Sequence, residues 1–281
     1  MSGRPPAAPV QTRRWQAGRW ASARDDIAAE EPLQLSLNGQ PLSVLMRTPG
    51  ADVELAAGLL WAEGVITARD QLRGMRVSAE WGEGPPGVTI TAGILESNQV
   101  DVLVEAPERV PERSFLSSSA CGVCGATTVE SLARRWPRLA PGPAIATDTL
   151  LQLPRELAGE QRLFSATGGL HAAALFAASG ELLAVREDVG RHNAVDKVVG
   201  WALLRRMLPA SSHVLLVSGR AGYEVVQKAV AAGIPVVAAV GAPTTLAVRT
   251  ATEFGATLVG FLRDARFNVY SAPERIFEVV K

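Results

Sequence analysis

The chain has 281 residues, 47% of them hydrophobic, with 28 basic and 28 acidic side chains. A chain this long buries roughly three quarters of its unfolded surface, so its core needs no disulfides. Zero formal net charge excludes a general attraction to nucleic acid or to a membrane surface, so any anion site has to be local.

The N-terminus, MSGRPPAAPVQTRRWQAGRW, is rich in Pro and Arg and lacks the apolar stretch of a signal peptide. No run approaches the roughly 18 apolar residues of a membrane span. These features predict a soluble, cytoplasmic protein with a flexible extension over residues 1–23, its first dozen residues poorly ordered. Residues 24–48 alternate in places, and Asn38-Gly39 between LQLSLNG and PLSVLMRT predicts a hairpin. Asp52 is a candidate cap for a helix through VELAAGLLWAEG that Gly64 ends. MRVSAEWG, GVTITAG and QVDVLVEA read as strands, so the first part of the chain predicts a small sheet carrying one helix. The stretch PERSFLSSSACGVCG is small and polar, and ATTVESLARRW after it reads as a helix. Together residues 24–136 form an expected β-rich subdomain ending in the Cys loop and its helix. Residues 137–154 are Pro-rich and predict a linker over the surface.

Residues 155–281 are more regular. HAAALFAASGELLAVRED predicts a hairpin around Ser179-Gly180, and helical spacing runs from Arg191 towards Leu208. HVLLVSG, PVVAAVG and ATLVGFL read as buried strands, with YEVVQKAVAAG and TTLAVRTATEFG as helices between them. Strand–helix alternation of this kind predicts parallel pairing, with ligands at the carboxyl ends of the strands. Those ends carry Ser218-Gly219-Arg220, Gly241-Ala242-Pro243-Thr244 and Arg263-Asp264.

The two cysteines, Cys121 and Cys124, are three residues apart. A disulfide in so short a loop restricts the unfolded chain little, so the pair reads as chemistry in a reducing compartment. Gly122 and Gly125 permit tight turns, and a helix starting at Ala126 would lower a thiol pKa at its positive end. Structural zinc needs about two more ligands, and the only histidines are His171, His192 and His213. A zinc deaminase needs an upstream His/Cys-x-Glu that the sequence lacks. No metal site is expected. Dithiol redox work, two inert buried cysteines and nucleophilic sulfur carriage stay open on the pair alone.

FSATGGLHAAAL places Gly168-Gly169 and His171 in one turn, either a ligand approach or a tight turn with a satisfied histidine. REDVGRHNAVDKVVG crowds Arg186, Glu187, Asp188, Arg191, His192, Asn193, Asp196 and Lys197 together. It reads either as a salt-bridged helix start or as a donor-rich helix terminus for an anion. Ser218, Gly219 and Arg220 between a strand and a helix suggest a phosphate cradle. In FLRDARFNVYS, Arg263 and Arg266 can pair with phosphate, Asp264 can accept from a guanine edge, and Phe267 and Tyr270 can flank a ring. The alternative is an ordinary charged loop with aromatic anchors.

CGVCG, FSATGGLHAAAL, REDVGRHNAVDKVVG, SGRAGYE and GFLRDARFNVYSAPERI, in that order, resemble the formate dehydrogenase accessory sulfurtransferase family, also called the FdhD family of sulfur carriers. The likeness covers residue 40 or so to the C-terminus, and REDVGRHNAVDK is its most specific part. The resemblance implies an α/β, cytidine-deaminase-like mixed-sheet sandwich with a small N-terminal sheet subdomain, usually a homodimer. It implies a sulfur carrier that takes persulfide sulfur from a cysteine desulfurase. The sulfur goes to molybdenum bis(molybdopterin guanine dinucleotide) on its way to formate dehydrogenase apoenzyme. Cys121 and Cys124 match the family's cysteines, with Cys121 expected to carry the persulfide. The cofactor stretch falls on Phe261, Leu262, Arg263, Asp264, Ala265 and Arg266. Ser218, Gly219, Arg220, His171, Arg191 and His192 are further candidates, and GDP is expected to mimic the ligand. The competing function is a molybdenum-cofactor chaperone that transfers no sulfur.

Overall fold

The computed structural model describes residues 5–78, 89–93, 98–108, 115–117, 129–133 and 135–279. In chain order, β1 (Ala7–Gln16), β2 (Arg19–Ala28), β3 (Glu31–Leu37) and β4 (Gln40–Arg47) precede α1 (Asp52–Ala62). Then come β5 (Leu72–Ser78), β6 (Thr89–Gly93), β7 (Gln99–Val104), β8 (Phe115–Ser117) and α2 (Val129–Ala133). β9 (Ile145–Ala146), α3 (Thr147–Glu160), α4 (Arg162–Thr167), β10 (His171–Ala177), β11 (Leu182–Asp188) and α5 (Arg191–Leu204) follow. The chain continues through β12 (His213–Val217), α6 (Tyr223–Ala231), β13 (Val236–Ala239), α7 (Thr245–Phe254), β14 (Thr257–Arg263), β15 (Arg266–Ser271) and β16 (Ile276–Phe277).

The fold is α/β with mixed sheets. The first six-stranded sheet has the order β6-β5-β7-β3-β4-β8 and the second β11-β10-β12-β13-β14-β15. Asn38 and Gly39 turn the β3–β4 hairpin with positive φ at both positions, the combination that Asn-Gly tolerates best. Asn38 also exchanges hydrogen bonds with the Val104 backbone, which fixes β7 beside β3. In the second sheet β12, β13 and β14 pair in parallel, as their apolar runs predict, while β10, β11 and β15 pair antiparallel.

Strand alternation gives that sheet two buried faces. Leu215, Val217, Val237 and Leu258 face α5, α6 and α7 in a core that also holds Leu33, Leu35 and Val102 of the first sheet. Val214, Leu216, Val236 and Val259 face the opposite way, onto Leu150, Leu153 and Leu157 of α3. Period-2 side-chain direction is the cause.

The two halves meet where α1 crosses α5. A Cβ at Gly58 would lie 1.9 Å from the Asp196 carbonyl oxygen, and one at Gly200 would lie 1.8 Å from that of Glu54. Both neighbours are backbone, which cannot swing away. Gly200→Ala is therefore expected to destabilise the protein by about 3 kcal/mol, the upper part of the overpacking range. A urea-unfolding midpoint within error of the wild type would refute the close crossing.

Several expectations are corrected. Residues 1–23 were expected to be a flexible extension, yet from Ala7 the chain forms one side of a ten-pair hairpin with β2. Ala17 and Gly18 both take positive φ at its turn, a turn signal weaker than Asn-Gly. The Pro-rich stretch 137–154 was expected to be linker throughout, but Thr147 starts α3 and Pro154 lies inside that helix. The missing N–H is outweighed by burial of Leu150, Leu153 and Leu157 along one stripe. Ala51, in the left-handed conformation, is the N-cap of α1. Asp52, the expected cap, instead accepts two hydrogen bonds from the buried Arg47 guanidinium at 3.0 and 2.8 Å.

Candidate functional site

A cavity of ≈ 860 Å³ opens at one end of the second sheet. β14 supplies its floor through buried Leu262, and Arg263, Asp264, Ala265 and Arg266 form the rim. Arg263 pairs with Arg266 in the β14–β15 register, so Asp264-Ala265 is a tight two-residue connection that presents both guanidiniums on one edge. A register shift between Gly260 and Arg263 turns Leu262 inward. Phe261 takes positive φ there while its N–H donates to the Gly241 carbonyl at 3.0 Å. Such a conformation is uncommon for an aromatic residue and is held here by the surrounding pairing.

The opposite wall comes from α3 and α4, through Pro154, Leu157, Gln161 and Phe164. The Glu187 carboxylate accepts from the Leu163 and Phe164 N–H groups at 2.9 and 2.7 Å, which ties the start of α4 to β11. Gly168 caps α4 in the left-handed conformation, and His171 follows at the start of β10. The Ser218 hydroxyl accepts from the Ala172 N–H at 2.9 Å, which sets Ser218 beside His171 on the cavity wall. Burial lowers the His171 pKa, and the Arg191 and His192 charges lower it further against the pull of Asp188. His171 is thus a neutral donor and acceptor at neutral pH, suited to polar contact rather than charge pairing.

Of the predicted cofactor residues, His171, Ser218, Leu262, Arg263, Asp264, Ala265 and Arg266 line one cavity. Phe261 is exposed at its bulge, Arg220 is exposed, and neither they nor Gly219, Arg191 and His192 line it. Gly219 lies close by, since a Cβ there would be 3.4 Å from His171 Nδ1. Phe267 packs with the α3-side core and Tyr270 with the other, which favours the reading of the two as aromatic anchors. Sequence reading missed the α3 wall. Its signal was present in the helical spacing of Leu150, Leu153 and Leu157, hidden within a stretch read as linker.

REDVGRHNAVDK is chiefly a hub of internal contacts. Arg186 forms two hydrogen bonds to Glu54 of α1, at 2.5 and 2.7 Å. Asp188, fully buried, accepts from the Gly190 N–H and Asn193 Nδ2 and pairs with Lys197 Nζ at 2.7 Å. Lys197 also donates to the carbonyls of Thr48 and Glu187. Asp196 accepts from Lys228 Nζ at 2.7 and 2.8 Å, and burial raises its carboxyl to about 6 against that partner's pull. His192 Nδ1 lies 2.8 Å from Glu224 Oε2. Burial would raise the Glu224 carboxyl, but the His192 hydrogen bond and charge, with Lys228 and Arg191, hold it below the usual range. Cys121 and Cys124 lie outside the described residues.

The profile of the FdhD/NarQ family matches residues 28–277. The sulfur carrier protein FdhD of Mycolicibacterium paratuberculosis is 48% identical over 267 residues, 92% of this chain and 95% of its own. That of Nocardia farcinica is 47% identical over 281 residues, covering 99% of this chain and 98% of its own. A crystal structure from Desulfotalea psychrophila, of a protein inferred to be a formate dehydrogenase accessory protein, superposes with TM-score 0.75 at 26% identity. It covers 97% of this chain and 100% of that one. With the profile spanning nearly the whole described body and relatives close to half identical end to end, the chain belongs to the FdhD/NarQ family.

Proposed function

We propose that this protein is a sulfur carrier of formate dehydrogenase maturation. It moves persulfide sulfur from a cysteine desulfurase to molybdenum bis(molybdopterin guanine dinucleotide), acting in the cytoplasm as a homodimer. The observation that carries the reading is the CGVCG pair in a chain matched over 92% of its length by a sulfur carrier protein.

The cofactor is the cargo, and its nucleotide end fits the cavity. The volume suits a ligand of nucleotide size. Arg263 and Arg266 offer planar donors for phosphate, Asp264 offers an acceptor for a guanine edge, and Ser218 and neutral His171 offer polar contacts. The Cys121 thiolate attacks the terminal sulfur of the desulfurase persulfide. The donor S–S bond breaks, the desulfurase leaves as thiolate, and Cys121 holds the persulfide. Cys124 then attacks the inner sulfur, forming a Cys121–Cys124 disulfide and releasing the outer atom as hydrosulfide to the metal. The two cysteines supply the two electrons, and a cellular dithiol restores them. Binding the nucleotide at a distance from the reacting atom positions the metal without blocking it.

Two measurements test the parts separately. Intact-protein mass after incubation with a cysteine desulfurase and cysteine is expected to rise by one sulfur. No rise, with the desulfurase shown active, would favour a chaperone that only holds the cofactor. Arg263→Ala/Arg266→Ala is expected to weaken GDP binding by roughly tenfold to a hundredfold, the range of lost charge-assisted hydrogen bonds. Calorimetric titration reads this directly, and unchanged GDP affinity would remove the nucleotide from this cavity.

A further inference from the structure

The hairpin β1–β2 forms a sheet of its own, paired with no other strand among the described residues. Its register places Trp15 opposite Trp20, Arg13 opposite Ser22 and Gln11 opposite Arg24. Alternation therefore puts Arg13, Trp15, Trp20 and Arg24 on one face of the ribbon. Trp15 and Trp20 are 57% and 58% exposed, two of the largest apolar side chains left open to water. From Thr12 to Arg24 the hairpin carries Arg13, Arg14, Arg19 and Arg24 and no acidic residue, in a chain of zero net charge; Asp25 and Asp26 follow only at its base, opposite Val10 and Pro9. Trp and Arg are the residue types most enriched where binding energy concentrates at protein interfaces. A lone two-stranded ribbon is only marginally stable in water, so a length of ten pairs suits an element that becomes packed in a complex.

Its place on the molecule narrows the occupant. The base of β2 packs against α4, and Ala28 lies against Gly169. Gly169 and Phe164 belong to the cavity wall. The arm thus springs from the edge of the cavity assigned to the nucleotide, and what docks on it stands beside that opening. The ring faces are partly covered: the Trp centroids are 5.4 Å apart and the Arg13 guanidinium lies 5.5 Å from the Trp20 ring. Base stacking needs an open face, so a single-stranded nucleic acid fits less well than a protein. The family profile begins at residue 28, at the foot of the arm.

We propose that the hairpin Ala7–Ala28 is a docking arm for an acidic surface on the apoenzyme that receives the cofactor from the adjoining cavity. This rests on the reading of the protein as a carrier serving formate dehydrogenase. The complementary charge attracts over a Debye length, and the Trp pair supplies the desolvated contact.

The test uses the full chain, with formate dehydrogenase apoenzyme produced without molybdenum cofactor immobilised as the probe. Two variants, Trp15→Ala/Trp20→Ala and Arg13→Glu/Arg24→Glu, are compared with wild type at low and high salt. Each is expected to weaken binding tenfold or more, and raised salt is expected to weaken the wild type. GDP affinity and sulfur loading are expected to stay at wild-type levels in both. Their loss in the wild type would count against the carrier reading, independently of the arm. Equal apoenzyme binding by all three proteins, or none by the wild type, overturns the proposal. So does a defect confined to the desulfurase, to a single-stranded RNA oligomer, or to self-association measured by sedimentation.

Discussion

Lys197→Met is expected to destabilise the protein by about 3–5 kcal/mol, a large share of its total stability. Lys197 Nζ lies 2.7 Å from Asp188 Oδ2, and both side chains are almost wholly buried. Methionine keeps the length of the stem and removes the charge, so a carboxylate remains in the interior without its cation. Breaking one side of such a pair costs about 3–5 kcal/mol, against a total stability on the order of 5–15 kcal/mol for a domain. The loss also reaches beyond the pair. Lys197 donates to the Thr48 and Glu187 carbonyls, and Asp188 accepts from the Thr48 N–H, so the ammonium joins the turn just after β4 to β11 through α5. Lys197→Met/Asp188→Asn should recover part of the stability, because the amide oxygen still accepts from Gly190 while no charge is stranded. Urea unfolding of the single and double variants measures both effects. A single variant within about 1 kcal/mol of wild type would show that the pair contributes little.

Cys121→Ala is expected to abolish sulfur loading altogether while leaving the fold and GDP affinity unchanged. A persulfide needs a nucleophilic sulfur to receive it, and the chain has only one other, Cys124. Cys124→Ala should still gain one sulfur from the desulfurase but fail to release it, since the attack that frees the outer atom is missing. Intact mass before and after addition of cofactor separates the two variants. Loading by Cys121→Ala and not by Cys124→Ala would exchange the roles of the two cysteines. Loss of GDP binding in Cys121→Ala would show that the thiol also supports the nucleotide site.

Local signals were enough for much of this molecule. Asn38-Gly39 specified its hairpin, and the apolar runs His213–Val217, Val236–Ala239 and Thr257–Arg263 specified the parallel strands. CGVCG and REDVGRHNAVDK pointed to the family, and the Arg263–Arg266 stretch to the cavity rim. These features are legible because each depends on a few neighbouring residues: φ at a turn, side-chain period, or a thiol pair in one loop. The hairpin β1–β2 was missed because its turn is Ala17-Gly18 and its strands bury little. The start of α3 was missed because Pro154 masked an amphipathic helix.

Tertiary structure alone decided what the charges of residues 186–197 do. Sequence left two readings open, an anion site or a salt-bridged helix start. The structure engages Arg186 with Glu54 and Asp188 with Thr48, partners 132 and 140 residues away in the chain. Period and propensity tell which face a side chain takes, but not which distant element arrives there. The same holds for the cavity: His171, Ser218 and Arg263 were identifiable one by one, whereas the wall from α3 and α4 exists only because the sheet buries both of its faces.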